Sequence, residues 1–371
     1  MIKENKNIKY NEEEIDFKSF PTTRYQGSKR KILPWLHEQT KDLQFNTVLD
    51  AFGGSGSVSY LFKKMGKSVT YNDKLKFNYI IGKAIIENQK VTFLEEDLQN
   101  LMQWIKSNDY SNFIEKTFKG IYYLPNENRW LDGINNGIIN MNHYKGKTLN
   151  YKKSLTYYAL FQSCLIKRPY NLFHRNNLSM RTADVERNFG NKVTWEKSFK
   201  KHFEKFLLEA NELIFDSKTP CFSINKSVFD IENTNYDLVY LDPPYLNKRE
   251  KNETANYLKC YHFLEGIANY NKWDKFIDFN SDNLRFKNTD KGNDFRRENV
   301  TETFEELIKK FQNSTIVLSY KSGGNPSIDV LVRIMKKYKK TVYTRSIPYV
   351  YALKRPGTDV KKSREVLIFG I

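Results

Sequence analysis

The sequence predicts an α/β fold, a doubly wound and mainly parallel sheet split by a large insertion, and three observations carry that prediction. Apolar strands alternate with amphipathic helices between residues 47 and 89, at the spacing of strands joined by crossover helices. The same rhythm returns late in the chain in "YDLVYLD" (236–242), "STIVLSY" (314–320) and "SREVLIFGI" (363–371). Between about 90 and 215 it is lost, and the composition shifts to aromatics, Asn and Lys.

The elements follow in order. Residues 1–19 form a polar leader, and "TTRYQGSKRKILPWLHEQT" predicts a helix that starts near Ser28. "NTVLDAFGGSGSVSYLFKKMG" reads as a strand, a glycine turn and an amphipathic helix closed by Gly66. "KSVTYND" is a second strand and "KLKFNYIIGKAIIENQ" a second helix. The sheet domain is thus expected over 20–88 and 216–371, with 89–215 inserted. Helical stretches fall at 151–167 and 195–215 within the insertion, and a polar segment at 246–300 interrupts the returning strands.

Composition narrows the function. Lys and Arg number 61 against 43 Asp and Glu, a net charge of +18, which favours a polyanionic partner. A solvated, Lys-rich surface also accounts for that charge. No apolar run approaches the roughly 20 residues that span a bilayer, and the N-terminus lacks a secretory apolar region. Nucleic acid is therefore expected as partner and no membrane, with a cytoplasmic location. The three cysteines form no C-x-x-C pair and the five histidines no H-x-x-x-H, so no metal site is expected.

The glycine turn carries the first chemical signal. Small residues after a buried strand let a ligand approach the backbone beside a helix N-terminus. "DAFGGSGSVS" does not complete G-x-G-x-x-G, because Ser59 stands at the third glycine position. Asp73 ends the second strand, where a carboxylate can accept bonds from ribose hydroxyls. By themselves these residues imply a cofactor containing adenosine, and an ordinary tight turn also fits.

The second signal is "YLDPPY" (240–245), an apolar strand that runs into a carboxylate, two prolines and a tyrosine. With "RYQGSK" (24–29), "DAFGGSGS" (50–57), "YND" (71–73) and "LSY" (318–320), it occurs in an order that resembles the D12-type, alpha-class DNA adenine methyltransferases. The resemblance covers the leading 70 residues and the last 140, and the middle only in part. It implies a Rossmann-like methyltransferase fold, an inserted target-recognition domain and S-adenosylmethionine as cofactor. Asp242, Pro243, Pro244 and Tyr245 would be catalytic. The Asp242 carboxylate and the Pro243 carbonyl would take the hydrogens of an adenine amine and free its lone pair. The prolines offer no competing N–H, and Tyr245 offers a face for an extruded base.

By the same resemblance Tyr25, Gly27, Lys29, Phe52, Gly53, Gly54, Gly56, Asp73 and Asp230 would hold the cofactor. Lys29 would lie near its methionine carboxylate, Asp73 on the ribose and Asp230 near the adenine. Ser319 and Tyr320 would support the base pocket, and Tyr320 as plain core fits equally.

"KRPYNLFHRNNLSMR" (167–181) is similar to a Y-N-G-L-x-R-x-N segment of that family, with Leu172 in place of the glycine. Its mixture of cations, amides and rings suits phosphates, base edges and stacking. Arg168, Tyr170, Asn171, Arg175, Asn176 and Arg181 are the expected contacts to double-stranded DNA, and a solvated basic loop is the alternative. The basic cluster at 246–251 is a further candidate for phosphates. The resemblance implies a monomer of a restriction-modification system, with a cognate restriction endonuclease as a candidate partner. A cytosine-N4 methyltransferase, a silent DNA-binding module and an RNA methylase are the competing readings.

Overall fold

The computed structural model describes residues 15–22, 24–107, 110–184, 186, 191–247, 256–287, 294–295, 298–349 and 363–371. Seven strands form the main sheet among the described residues: β1 (Thr47–Asp50), β2 (Ser68–Asn72), β3 (Phe222–Ile224), β4 (Leu238–Leu241), β5 (Thr315–Lys321), β6 (Val342–Pro348) and β7 (Arg364–Gly370). Their spatial order is β3-β2-β1-β4-β5-β7-β6. The first five pair in parallel, and β7 runs antiparallel between β5 and β6. The order reverses between β1 and β4, the place where open α/β sheets open a crevice at their carboxyl ends.

The core lies on both faces of the sheet. Val48, Val69, Tyr71, Leu238 and Tyr240 belong to one cluster, and Leu49, Val239, Leu241, Ile316 and Leu318 to the other. Such two-sided burial gives the central strands their near-continuous apolar sequence. The helix Ser57–Lys64 follows the glycine turn and buries Val58, Leu61 and Phe62 at helical spacing. Gly66, at φ +71°, ends it. At the other predicted start, Ser28 accepts the Arg30 amide at 3.4 Å, a short 3-10 turn spans Lys29–Ile32, and the helix proper is Leu33–Thr40.

The insertion shares the core of the first face. It holds the helices Glu95–Ser107, Pro125–Asn140, Gly146–Ile166 and Phe199–Glu212, and Phe77 of the sheet layer meets Phe161 of the insertion at 5.7 Å. The hydrophobic packing does not divide where the sequence does, after residue 215. The helix Tyr257–Ala268 and Trp273 come from the polar segment, yet Phe263 packs on Phe118, Tyr122 and Phe173 of the insertion. Residues 1–14 of the leader and 248–251 of the basic cluster lie outside the described residues. Among the described residues no helix is long and apolar enough to cross a membrane.

Candidate active site

A cavity of about 530 Å³ opens at the carboxyl ends of β1, β2 and β4. Tyr25, Gly27, Lys29, Phe52, Gly53, Gly54, Asp73, Asp242 and Pro244 line it, so most of the expected residues come together. Gly56 stands behind the lining as the left-handed cap of the helix Ser57–Lys64. Gly53 has no room for a side chain, since a Cβ there would meet the Tyr71 ring at 2.1 Å. Gly54, at φ +49°, turns its N–H onto Asp73 Oδ2 at 2.9 Å. Asp230 is exposed on the 3-10 turn Val228–Asp230 and is not among the lining residues, whereas Val228 of the same turn is. The polar end of that turn points away from the cavity and its apolar end toward it.

Two acids anchor the turn. Asp73 accepts the Gly54 and Leu75 amides and Asn78 Nδ2 at 2.8–3.1 Å, yet burial holds its pKa at about 6. Asp50 accepts from Ser59 Oγ at 2.7 Å, and burial pushes its pKa to about 7. Its Oδ1 finds no hydrogen-bond partner among the described residues.

At the other end of the cavity, Lys29 Nζ sits 2.7 and 2.6 Å from the two Asp242 oxygens and 2.8 Å from the Tyr245 hydroxyl. Tyr245 OH lies 2.6 Å from Asp242 Oδ1. Burial first, and Glu365 second, raise the Asp242 pKa against the opposing pull of Lys29. Burial works against the Lys29 charge, but Asp242 and Glu365 outweigh it and leave its pKa above the ordinary value. Lys29 is therefore a cation on the Asp242 carboxylate, a partner that sequence reasoning did not assign to it. Pro243 is buried beneath the lining, and Tyr245 meets Tyr320 edge to face at 5.1 Å. Ser319 and Tyr320 are both enclosed, with Tyr320 OH donating to the Asn325 carbonyl at 2.6 Å.

The polar segment contributes what the sequence reading missed. Tyr257 lines the cavity and stacks on Tyr25 at 5.5 Å, and Tyr261 stacks on the same ring at 4.8 Å. Glu265 accepts the Lys76 and Phe77 amides at 3.1 and 3.0 Å, and burial lifts its pKa to about 7. The signal available in the sequence was the i, i+4 spacing of Tyr257 with Tyr261 and Cys260 with Leu264 in "NYLKCYHFLEGIANY" (256–270), which suits a buried helical face.

The 167–181 stretch corrects an expectation. Arg168 is 1% exposed; it donates to the carbonyls of Leu172 and Arg175 at 3.2 and 2.7 Å and lies over the Tyr122 ring. Arg181, with its side chain 4% exposed, forks onto Glu127 at 2.9 and 2.8 Å, and Lys167 joins the same carboxylate at 2.8 Å. These cations brace the loop from inside, with protein carbonyls, rings and Glu127 as their partners. Arg175 and Asn176 are exposed, Tyr170 is 63% exposed, and Asn171 is half-buried. Tyr170 and Asn171 hold consecutive left-handed conformations at φ +60° and +58°.

A family model, D12 class N6 adenine-specific DNA methyltransferase, matches residues 25–316. The chain belongs to that family. Among its relatives is the type II methyltransferase M2.HphI of Haemophilus parahaemolyticus, 27% identical over 94% of this chain and 97% of that protein. The type II methyltransferase M.NlaIII of Neisseria lactamica is 26% identical over 85% of this chain and 88% of its own length. The modification methylase StsI of Streptococcus sanguinis is also 26% identical, but the chain spans only 50% of it. The protein is an enzyme that methylates adenine N6 in DNA, and neither the cytosine-N4 alternative nor the silent module is favoured.

Proposed function

We propose that the cavity takes S-adenosylmethionine and that Asp242 receives the amine of an adenine turned out of double-stranded DNA. One arrangement supports this above all: the Asp242 carboxylate lines the same cavity as the Gly53–Gly54 turn and Asp73. Its volume of about 530 Å³ suits a ligand of that size. The enclosed Asp50 Oδ1, without a partner among the described residues, suits a cationic or hydroxyl group of the ligand.

When bound, this cofactor supplies a methyl group that is already activated. The chain's own residues hold and orient. Asp73, fixed by two amides and Asn78, offers a remaining lone pair to a ribose hydroxyl. Tyr25, Phe52 and Gly27 enclose the ligand, and Val228 replaces Asp230 as the contact from its turn. Asp242 and the Pro243 carbonyl accept the two amine hydrogens, which frees the nitrogen lone pair for attack. Pro243 and Pro244 offer no N–H to compete. Tyr245 presents its ring to the base while its hydroxyl is tied to Asp242.

The target-recognition region combines 89–215 with 256–287, which share one core. Arg175, Tyr170, Asn171 and Asn176 touch DNA. The relatives named as type II methyltransferases favour a restriction-modification role. A cognate endonuclease, a monomeric state and a cytoplasmic location complete the proposal. The test is to label duplex DNA with a tritiated methyl donor, digest it and identify the nucleoside. N6-methyladenine from wild type and none from Asp242→Ala is the expected result. Label on cytosine, or an active variant, would overturn the assignment.

A further inference from the structure

The last strand supplies a carboxylate that this chemistry leaves unused. Glu365 stands near the start of β7 with its side chain fully enclosed. Its Oε1 accepts from Ser319 Oγ at 2.6 Å, lies 2.8 Å from the Tyr245 hydroxyl and 3.7 Å from Lys29 Nζ. Lys29 in turn touches both oxygens of Asp242. Two carboxylates thus share one ammonium, and the ionised cluster carries one net negative charge.

That balance matters for the reaction. An amine nitrogen gains positive charge as its new C–N bond forms and the sulfonium C–S bond breaks to leave a thioether, and it sheds that charge by losing one of its two hydrogens as a proton. A carboxylate cancelled by an ammonium at hydrogen-bond distance stabilises that charge poorly, and the effect is strong where water is excluded. A second carboxylate behind the ammonium returns the net negative charge to the cluster. It also gives the ammonium another acceptor when the target amine arrives at Asp242.

We propose that Glu365 is a positioning residue for methyl transfer: it offsets the Lys29 charge, so that Asp242 meets the adenine amine as an uncancelled anion. This rests on the reading of Asp242 given above. No motif in the sequence marks Glu365; it lies 123 residues beyond Asp242, at the mouth of an apolar strand.

The experiment compares the full chain with Glu365→Gln, Glu365→Asp, Lys29→Met and the Lys29→Met/Glu365→Gln double variant. Single-turnover methylation of a duplex is measured beside equilibrium binding of DNA and S-adenosylmethionine. Glu365→Gln keeps the side-chain shape and removes the charge, so its rate should fall at least tenfold with both affinities within about twofold. Glu365→Asp, which keeps the charge, should recover most of the rate. In the Lys29→Met background the same Gln substitution should change the rate by less than about threefold, because no ammonium remains to offset. A wild-type rate for Glu365→Gln overturns the proposal. So does an equal loss in both backgrounds, which a purely structural role would give. Should Glu365→Gln alone fail to fold, the Lys29→Met pair still decides. An active Asp242→Ala protein would remove the underlying reading; an inactive one beside a fully active Glu365→Gln would remove this proposal alone.

Discussion

Replacing Arg181 separates an internal strut from a phosphate contact. Arg181→Met keeps most of the stem and deletes a guanidinium whose side chain is 4% exposed. The lost partners include the two Glu127 oxygens, at 2.9 and 2.8 Å, and the more distant Trp195 and Tyr122 carbonyls, at 3.4 and 3.5 Å; the Glu127 side chain is itself 9% exposed. Removing one member of a buried ion pair costs roughly 3–5 kcal/mol, because the other charge stays desolvated. Lys167 remains 2.8 Å from Glu127 Oε1, so the low end, about 3 kcal/mol, is expected. In a chain of 371 residues that lowers Tm by roughly 4 °C. Thermal denaturation by circular dichroism measures it. DNA binding by anisotropy, at a temperature well below both transitions, should keep the wild-type salt slope. Arg175→Ala should behave in reverse: Tm within about 1 °C, and a slope flatter by about 0.9 for one lost phosphate. An Arg181→Met protein with wild-type Tm and a slope reduced by one unit would refute the argument, since the arginine would then be on DNA.

Three further outcomes are expected. Asp242→Ala should abolish methylation while calorimetry finds cofactor affinity within about tenfold, roughly 1.4 kcal/mol. Asp73→Asn should weaken cofactor binding about ten- to a hundredfold, as a charge-assisted bond of roughly 1.5–3 kcal/mol is lost, and unchanged affinity would move the ribose elsewhere. Asp50 ionises near 7 when folded, against 3.8 ordinarily, so the folded chain retains a proton that the unfolded chain releases. Wild-type stability should therefore fall relative to Asp50→Asn as pH rises from about 4 to 7, by up to about 4 kcal/mol, and level off above. A gap between the two proteins that is constant from pH 4 to 8 would count against it.

The central strands were legible because parallel strands covered on both faces need unbroken apolar runs, as in "VLD" and "LVYL". β3 and β6 gave no such signal. β3 is three residues long with an exposed Phe222, and β6 is an edge strand whose Thr344, Arg345 and Ser346 face water. Within the insertion the expected helical stretches 151–167 and 195–215 overlap Gly146–Ile166 and Phe199–Glu212, but Pro125–Asn140 stayed hidden for a different reason. Pro125–Asn140 buries Glu127, Asn128, Asp132 and Asn135 among its apolar residues, so its inner face does not look hydrophobic. Each of these side chains makes at least one hydrogen bond within the fold: Asp132, for instance, accepts the Ile114 and Glu115 amides at 2.8 Å. A period search on hydropathy passes over a core built this way.

The same limit governs the charges. The motif at 240–245 announced Asp242 and Tyr245, but their ion partners lie 213 residues before and 123 after Asp242, and no spacing rule links them. The 167–181 stretch holds four cations, of which Arg168, Arg175 and Arg181 were expected on DNA, yet Lys167, Arg168 and Arg181 are enclosed by carbonyls, rings and Glu127. Charge read along a chain measures what is available, while burial decides what faces a partner. Of the four, only Arg175 keeps its charge at the surface, with the exposed Tyr170 five residues before it and Asn176 next to it. The loop should then contribute about one unit to the salt dependence of DNA binding, where four exposed cations would contribute nearly four. The remaining slope must come from other exposed lysines and arginines of a chain with a net charge of +18.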